Sequence, residues 1–292
     1  MKTISTSDLT VKVSSRGAEL CSICCNGKEY LWQADPAYWK RHAPVLFPIV
    51  GSVWENTYRQ DGETYSMAQH GFARDMEFEL VAEGDRDLLY RLTDNEETRK
   101  IYPFPFLLQI SYQVWRKKLE VVWRLYNTGD REMHFQIGAH PAFYYPDYDA
   151  ETTERGYFGF GEKTDGLRHI LISEKGCADP GKEYPLALTD DGLLPLDVHT
   201  FDKDALILEG DQVREVTLYN KEKKPCLTVS FDTPVVGLWS PPAKNAPFVC
   251  IEPWYGRCDR AHYTGEYKDK DWMQHLAPGE VFEGGYVIMV RE

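Results

Sequence analysis

The feature that most constrains the fold of this chain is the alternation of apolar and polar side chains with a period of two residues. Short segments rich in β-branched and aromatic residues carry this alternation, and turn residues such as Thr128-Gly129-Asp130 bound them. Successive side chains of a β-strand point to opposite faces of a sheet, so this period predicts half-buried strands. The clearest examples are residues 119–127, 213–220, 226–232 and 286–290.

Helical patterns are scarce. Single turns are predicted at residues 36–41 and 203–208, and no rhythm of alternating strands and helices indicates a parallel sheet. Many short strands without a break in composition favour an all-β fold, one large antiparallel β-sandwich that forms a single domain over residues 1–292. The irregular stretch 147–204, rich in glycine, proline and charged residues, is interpreted as an excursion from the sheet rather than a second domain.

The charge of the chain argues against several kinds of partner. Its 33 lysines and arginines against 46 aspartates and glutamates give a net charge of −13, and no cationic stripe offers a site for a phosphate backbone, so nucleic acid is not expected. No window approaches the ~18 consecutive apolar residues of a membrane span, and the first residues lack the apolar part of a signal peptide. We therefore expect a cytoplasmic protein without a membrane partner, as a monomer or homodimer.

The seven cysteines are predicted to be reduced, packed thiols, since their number is odd and no export signal accompanies them. Cys21 and Cys24 have the C-x-x-C spacing of redox and zinc sites. However, Asn26-Gly27 predicts a tight hairpin turn just after them. Residues three apart on a strand point to opposite faces, so these two thiols are not expected to meet.

Polar residues that a sandwich core does not need concentrate in three segments, 40–74, 137–145 and 249–260. In the second, His140 precedes Pro141, which holds the histidine backbone extended. An imidazole with an ordinary pKa of about 6.5 can donate or accept a proton at neutral pH. Gly138 and Ala139 are expected to leave space beside His140, and Phe143 to supply an aromatic wall. A structural histidine at a strand end is the alternative.

In the third segment, Glu252 lies in the apolar run Phe248-Val-Cys-Ile-Glu-Pro-Trp, so its carboxylate is expected to be partly buried. Burial raises the pKa of a carboxylate. A buried glutamate beside Trp254 fits a general base in a dry, aromatic site. A structural ion pair with an arginine is the alternative.

In the first segment, His70 and Arg74 lie four residues apart in the motif HGFAR. On a strand, residues four apart share a face, so both side chains would reach one ligand. A guanidinium presents several donors in a planar fork that suits hydroxyl, carboxylate or phosphate groups. Arg41, ahead of Pro44, is a second candidate. For each arginine, a solvated surface position is the alternative.

Taken together, the three segments resemble the aldose 1-epimerases (mutarotases), and most of all the LacX-like and hexose-6-phosphate-mutarotase-like branches. HGFAR comes first, then a His-Pro-aromatic stretch and then a Glu-Pro-Trp stretch, and the likeness runs from APVLFPIVG to the final strand. The resemblance implies an antiparallel β-sandwich of the galactose-mutarotase type. The chain departs from the LacX-like pattern at Ser52, which follows FPIVG where arginine is often found, and this bears on substrate preference.

The resemblance implies an isomerase without cofactor or metal, acting on a hexose or hexose 6-phosphate. His140 would match the general acid that protonates the ring oxygen, and Glu252 the general base that takes the proton of the anomeric hydroxyl. The open sugar then rotates about its C1–C2 bond and closes to the other anomer. The acid and the base are expected to face each other across the sugar. The residues that would hold the sugar or stack on it are His70, Arg74, Arg41, Trp239, Trp254 and Phe143.

Other functions stay open at this point. A protein on the same sandwich could bind or sense a sugar without converting it. A glycoside hydrolase would need two carboxyl groups about 5–10 Å apart, and no second acid is as well placed as Glu252. A metal-dependent sugar isomerase would need ligand histidines, and the eight histidines are scattered with no pair at a usual ligand spacing.

Overall fold

The computed structural model of the protein describes residues 1–163 and 165–291. Residues 164 and 292 lie outside the described residues. Both belong to the predicted domain 1–292, and residue 164 also belongs to the predicted 147–204 excursion. The described part forms 26 strands, one α-helix and three 3₁₀ turns. None of these helices has the length and apolar character needed to cross a bilayer.

The strands of the first half include the long hairpin β10–β11. They are β1 Lys2–Ser5, β2 Leu9–Val13, β3 Leu20–Cys25, β4 Lys28–Glu29, β5 Val45–Leu46, β6 Thr57–Gln60, β7 Glu63–Ser66, β8 Glu79–Glu83, β9 Asp87–Thr93, β10 Phe106–Trp115, β11 Lys118–Asn127, β12 Met133–Phe135 and β13 Ile137–Ala139. The helix α1 is Glu96–Ile101, and the 3₁₀ turns are Trp54–Asn56, Ala73–Asp75 and Tyr267–Asp269.

The second half begins with short strands and ends with the ten-residue β26. Its strands are β14 Ala142–Tyr144, β15 Glu154–Gly159, β16 Arg168–Glu174, β17 Cys177–Ala178, β18 Tyr184–Pro185, β19 Leu194–Asp197, β20 Leu206–Glu209, β21 Glu215–Tyr219, β22 Pro225–Phe231, β23 Val235–Trp239, β24 Phe248–Tyr255, β25 Gln274–Leu276 and β26 Val281–Val290.

Two large antiparallel sheets form a sandwich. Sheet 1 has the order β19-β15-β21-β22-β26-β11-β10-β9-β8. Sheet 2 has the order β17-β16-β20-β23-β24-β13-β5, with β14 also paired to β24 and β18 to β16. Smaller sheets are β1-β2-β3-β4, the hairpin β6-β7 and the pair β12-β25. The prediction of an all-β antiparallel sandwich is confirmed.

The core lies between the two sheets, and the alternation of side chains decides which residues enter it. On β11, every second residue is buried, as at Leu119, Val121 and Trp123. On β24 the side chains of Val249 and Ile251 join the same hydrophobic cluster. This shared cluster leaves the alternate residues of β24 on the outer face of sheet 2.

The local predictions meet different outcomes. Asn26 and Gly27 form the predicted hairpin turn between β3 and β4, both with positive φ (49° and 82°). The prediction of mostly packed thiols is confirmed, since six of the seven cysteines are buried and Cys24 is half-buried. The predicted turn at 36–41 is present as a single turn, in which the backbone N–H of Trp39 donates to the carbonyl of Asp35.

Two of the sequence interpretations need correction. The turn predicted at 203–208 is wrong, because Leu206–Glu209 is strand β20 and pairs with β23. The 147–204 stretch, apart from residue 164, is not merely an excursion. It extends sheet 1 with β15 and β19 and sheet 2 with β16. Helix α1 was not predicted; Asn95 caps it by accepting hydrogen bonds from the backbone N–H groups of Glu97 and Thr98.

Candidate active site

Strand register brings His140 and Glu252 together. β13 pairs Gly138 with Trp254, and β14 pairs Ala142 with Cys250. His140, midway between Gly138 and Ala142, therefore lies opposite Glu252 on the same face of sheet 2. This is the outer face, since the alternate residues of β24 enter the core.

The two side chains meet inside a cavity of about 230 Å³. His140 Nε2 lies 3.2 Å from Glu252 Oε2, and the side chains are only 9% and 2% exposed. The partner of Glu252 is thus a histidine and not the arginine that the alternative interpretation required. A buried carboxyl group beside an imidazole can hold and pass a proton, so this pair is the chemical centre of the site.

Burial favours the neutral form of both groups. Desolvation, followed by the positive charge of Arg74, lowers the pKa of His140 to about 3. Desolvation, followed by the negative charge of Asp204, raises the pKa of Glu252 well above its ordinary value. At a pH above the lowered pKa of His140 and below the raised pKa of Glu252, the pair holds one proton, which either partner can carry.

Aromatic rings enclose His140 on two sides. The Trp39 ring stacks on the imidazole at 4.7 Å between centroids, and the Trp239 ring meets it edge-on at 5.4 Å. Both tryptophans line the cavity. Trp239 was expected in the site; Trp39 was not, although it lies in the predicted turn at 36–41.

The indole of Trp254 also lines the cavity, and two glycines make room for it. A Cβ at Gly237 on β23 would lie 2.3 Å from Trp254 Cη2, and a Cβ at Gly138 would lie 2.6 Å from Trp254 Cδ1. The sequence predicted open space beside His140 at Gly138. In the structure this space is filled by the indole of Trp254.

His70 presents a hydrogen-bond donor to the cavity. Its Nδ1 accepts a hydrogen bond of 3.0 Å from the backbone N–H of Gly51, so in the neutral ring the proton is on Nε2. Desolvation and then the charge of His140 lower the pKa of His70 well below its ordinary value, which keeps the ring neutral. His70 lies in a turn with φ 66° and not on a strand.

Glycine is required beside His70. Gly71 has φ 69°, and a Cβ there would lie 2.2 Å from the carbonyl oxygen of Phe47. The same carbonyl accepts hydrogen bonds from the backbone N–H groups of Phe72 and Ala73. The HGFAR motif is therefore a tight turn leading into the 3₁₀ turn Ala73–Asp75, and this turn carries His70 and Arg74 to the cavity.

Arg74 lines the cavity and supplies its positive charge. Its Nη2 donates a hydrogen bond of 2.6 Å to the carbonyl of Gln69. Burial, followed by the charge of Arg41, lowers the pKa of Arg74 to about 10, which leaves the guanidinium charged at neutral pH.

Two predicted site residues lie outside the cavity lining. Arg41 forms an ion pair with Asp75, with Nη2 3.0 Å and 3.2 Å from the two carboxylate oxygens. Phe143 is fully buried in the inter-sheet core. It follows His140 by three residues on an extended segment, so its side chain points to the opposite face.

The sequence reasoning missed Asp204, which lines the cavity together with Ile172 and Gly176. Asp204 adopts φ 73° just before β20. These three residues come from the 147–204 stretch, which therefore closes one side of the cavity.

Buried polar atoms that make no hydrogen bond are concentrated at this site. Of the seven buried side-chain atoms that make no hydrogen bond among the described residues, four belong to cavity residues: Arg74 Nε, His140 Nδ1, Glu252 Oε2 and Trp254 Nε1. Glu252 Oε2 lies 3.2 Å from His140 Nε2, but this close contact lacks hydrogen-bond geometry. Leaving such atoms unsatisfied costs about 1–3 kcal/mol each. Their convergence indicates a site for a ligand with several hydroxyl or other polar groups.

The residues at the centre of the site could also hold a metal. Ligand atoms of His140, Cys250 and Glu252 lie within 4.8 Å of one another. However, burial raises the pKa of the Cys250 thiol well above its ordinary value. A metal would have to displace protons from both the thiol and the carboxyl group, which disfavours this ligand set.

Comparison with known proteins identifies the family. A sequence profile described as aldose 1-epimerase matches residues 2–288. The protein LacX (chromosomal) of Lactococcus lactis subsp. lactis is 32% identical over 290 residues, covering 97% of this chain and 96% of LacX.

Solved structures agree with that assignment. The galactose mutarotase related enzyme of Lactobacillus acidophilus has a TM-score of 0.91 at 36% identity, covering 100% of this chain and 97% of its own. A galactose mutarotase-like protein of Lactobacillus casei has a TM-score of 0.93 at 29% identity, with both chains fully covered. The family resemblance predicted from the three sequence segments is thereby confirmed. The chain belongs to the aldose 1-epimerase family.

Proposed function

We propose that the protein is an aldose 1-epimerase that interconverts the α and β anomers of a hexose, with His140 as general acid and Glu252 as general base. Family membership supports a role in sugar epimerisation. The observation that carries the finer proposal is the 3.2 Å contact between His140 Nε2 and Glu252 Oε2 inside the cavity.

This contact suits the chemistry of the anomeric carbon. Ring opening removes a proton from the hydroxyl on C1 and adds one to the ring oxygen, and both oxygens are bonded to C1. An acid and a base that lie side by side can therefore serve both oxygens. Our expectation that the two groups face each other across the sugar is replaced by this arrangement at one wall of the cavity.

One proton on the pair is sufficient for the reaction. When it resides on His140, the imidazolium donates to the ring oxygen while the Glu252 carboxylate takes the proton of the C1 hydroxyl. Rotation about C1–C2 and the reverse transfers close the ring to the other anomer. Each positioned proton transfer contributes about 10²–10⁴-fold to the rate.

Other cavity residues suit the remaining parts of a sugar. The Nε2–H of His70 and the Nε–H of Arg74, which makes no hydrogen bond within the protein, are donors for hydroxyl or ring oxygens. The Asp204 carboxylate is an acceptor for hydroxyl hydrogens. Trp39, Trp239 and Trp254 offer apolar surface to the C–H groups of a pyranose.

The charges favour a free hexose over a hexose phosphate. Asp75 is paired with Arg41 and also lies 3.8 Å from Arg74 Nε, and Asp204 places a negative charge in the cavity lining. A phosphate dianion prefers a cluster of basic donors. A hexose 6-phosphate remains the second substrate candidate, favoured by Arg74 alone.

The test is an anomerisation assay on a panel of hexoses and their 6-phosphates, by polarimetry and saturation-transfer NMR. We expect accelerated exchange of at least one free hexose, and a loss of most of that activity in His140→Ala with unchanged folding. Binding of the sugar without acceleration in the parent protein would instead favour the non-catalytic binding function. Equal rates for the parent and His140→Ala would overturn the role of His140.

A further inference from the structure

A second group of titratable side chains lies away from the cavity, on the pair of short strands β12 and β25. The register places His134 directly opposite His275. Their Nδ1 atoms are 3.0 Å apart, and Glu132 Oε2 lies 3.8 Å from each. These three residues are not part of the cavity lining.

The spacing of these donor atoms matches a metal coordination shell. Zinc binds imidazole nitrogen and carboxylate oxygen at about 2.0–2.2 Å, so ligands in a tetrahedral shell are spaced roughly 3.3–3.6 Å apart. The observed separations, 3.0 and 3.8 Å, lie on either side of that value. Small rotations of the exposed Glu132 and His275 side chains, which are 57% and 47% exposed, would equalise them.

His134 is held in place, whereas its partners are open to solvent. The side chain of His134 is 6% exposed, and its ring meets Phe104 edge-on at 5.6 Å. The hydroxyl of Tyr102 donates a hydrogen bond of 2.8 Å to the backbone carbonyl of His134. One fixed ligand and two accessible ones make a site that an ion can enter from solvent.

The electrostatic surroundings of His134 are mixed. Desolvation, followed by the charge of His275, lowers the pKa of His134; the negative charges of Glu132 and Asp61 act in the opposite direction.

We propose that Glu132, His134 and His275 form a surface binding site for a divalent transition metal of the zinc class, with water in the remaining positions. Two imidazoles and a carboxylate are ligands that zinc, nickel and cobalt accept. The bound ion would link β12 to β25. Our expectation from the sequence, that no histidine pair has a ligand spacing, considered only neighbours along the chain, whereas these histidines are 141 residues apart.

The test uses the full-length protein without an affinity tag, treated with a chelator and then dialysed. Zn²⁺ is titrated by calorimetry, and Co²⁺ by visible absorption. We expect one ion per chain, with cobalt bands of nitrogen and oxygen ligands and no thiolate charge-transfer band. We expect His275→Ala and Glu132→Gln to weaken binding at least tenfold, and Zn²⁺ to raise the Tm of the parent but not of His275→Ala.

The matched control is His262→Ala, which removes another exposed histidine that contacts a carboxylate, Glu174, at 2.7 Å. It should bind Zn²⁺ as the parent does. The proposal is overturned if the parent binds no Zn²⁺, if His275→Ala binds it equally well, or if cobalt shows thiolate ligation. In each of those cases the contact between His134 and His275 is only a hydrogen bond between two imidazoles.

Discussion

The two faces of strand β24 are equally buried and serve different purposes. On the inner face, Val249 and Ile251 are fully buried and pack in the core between the sheets. On the outer face, Glu252 and Trp254 are 1% and 5% exposed but line a cavity and carry polar atoms that make no hydrogen bond. Burial alone therefore does not distinguish core from site. The distinguishing features are polar groups and unsatisfied hydrogen-bonding capacity on one face.

The largest expected effect comes from the outer face. Glu252→Gln keeps the volume of the side chain but cannot accept a proton, so we expect kcat/KM for anomer exchange to fall by about 10²–10⁴-fold. The Tm should change little, because a neutral group replaces a carboxyl whose neutral form burial already favours. Glu222→Gln, on an exposed turn, is the control and should match the parent in rate. A Glu252→Gln variant with parental activity would show that Glu252 is not the base.

Substitution of Ile251, on the inner face next to Glu252, should lower stability and leave the catalytic rate unchanged. Ile251→Ala removes a fully buried side chain, so we expect the free energy of unfolding to fall by about 2–5 kcal/mol. The kcat per folded molecule should be close to that of the parent, since Ile251 does not line the cavity. Urea unfolding and anomer exchange on the same preparation check both values. A stable but inactive Ile251→Ala would break the contrast between the two faces.

A smaller effect is expected where the outer face is shaped by glycine. In Gly237→Ala the new Cβ would lie 2.3 Å from the Trp254 ring, so the indole must shift. Such overpacking costs about 1–3 kcal/mol, and we expect a lower Tm together with a raised KM for the sugar. Gly181→Ala, whose Cβ would meet only Asp179 Oδ1 at 3.3 Å, is the control. Unchanged KM in Gly237→Ala would separate the position of Trp254 from sugar binding.

The smallest effect is an absence of change with pH. The active pair holds one proton, and this state persists above the pKa of His140, lowered to about 3, and below the raised pKa of Glu252. We therefore expect kcat/KM to stay constant as the pH falls from about 7 to about 5. A rate profile with an acid limb centred near 6.5, the ordinary value for histidine, would contradict the lowered pKa of His140.

Strand assignment came largely from local pattern, because the alternation of β11 or β26 is visible within ten residues. The hairpin at Asn26-Gly27 was equally readable, since positive φ is a property of those two residues. The strand β20 was mistaken for a turn because its extended form depends on pairing with β23. Helix α1 was not predicted from the sequence because it is only six residues long.

Part of the candidate site could also be predicted from the sequence. His140, Glu252, His70, Arg74, Trp239 and Trp254 were found through motifs and family resemblance, and all six line the cavity. Phe143 was misplaced although its odd spacing from His140 already indicated the opposite face. The single domain, the cytoplasmic location and the monomeric or homodimeric state stay predictions.

Trp39 and Asp204 had no recognisable signal, because each reaches the cavity from a loop. The sequence likewise did not predict the distance between His140 and Glu252 or the pairing of His134 with His275. The alternation of side chains is set by the geometry of a single strand, so the sequence of each segment shows which residues share a face. Which strands become neighbours, and in what register, depends on contacts between residues more than a hundred positions apart, and it is this register that places an imidazole beside a carboxyl group.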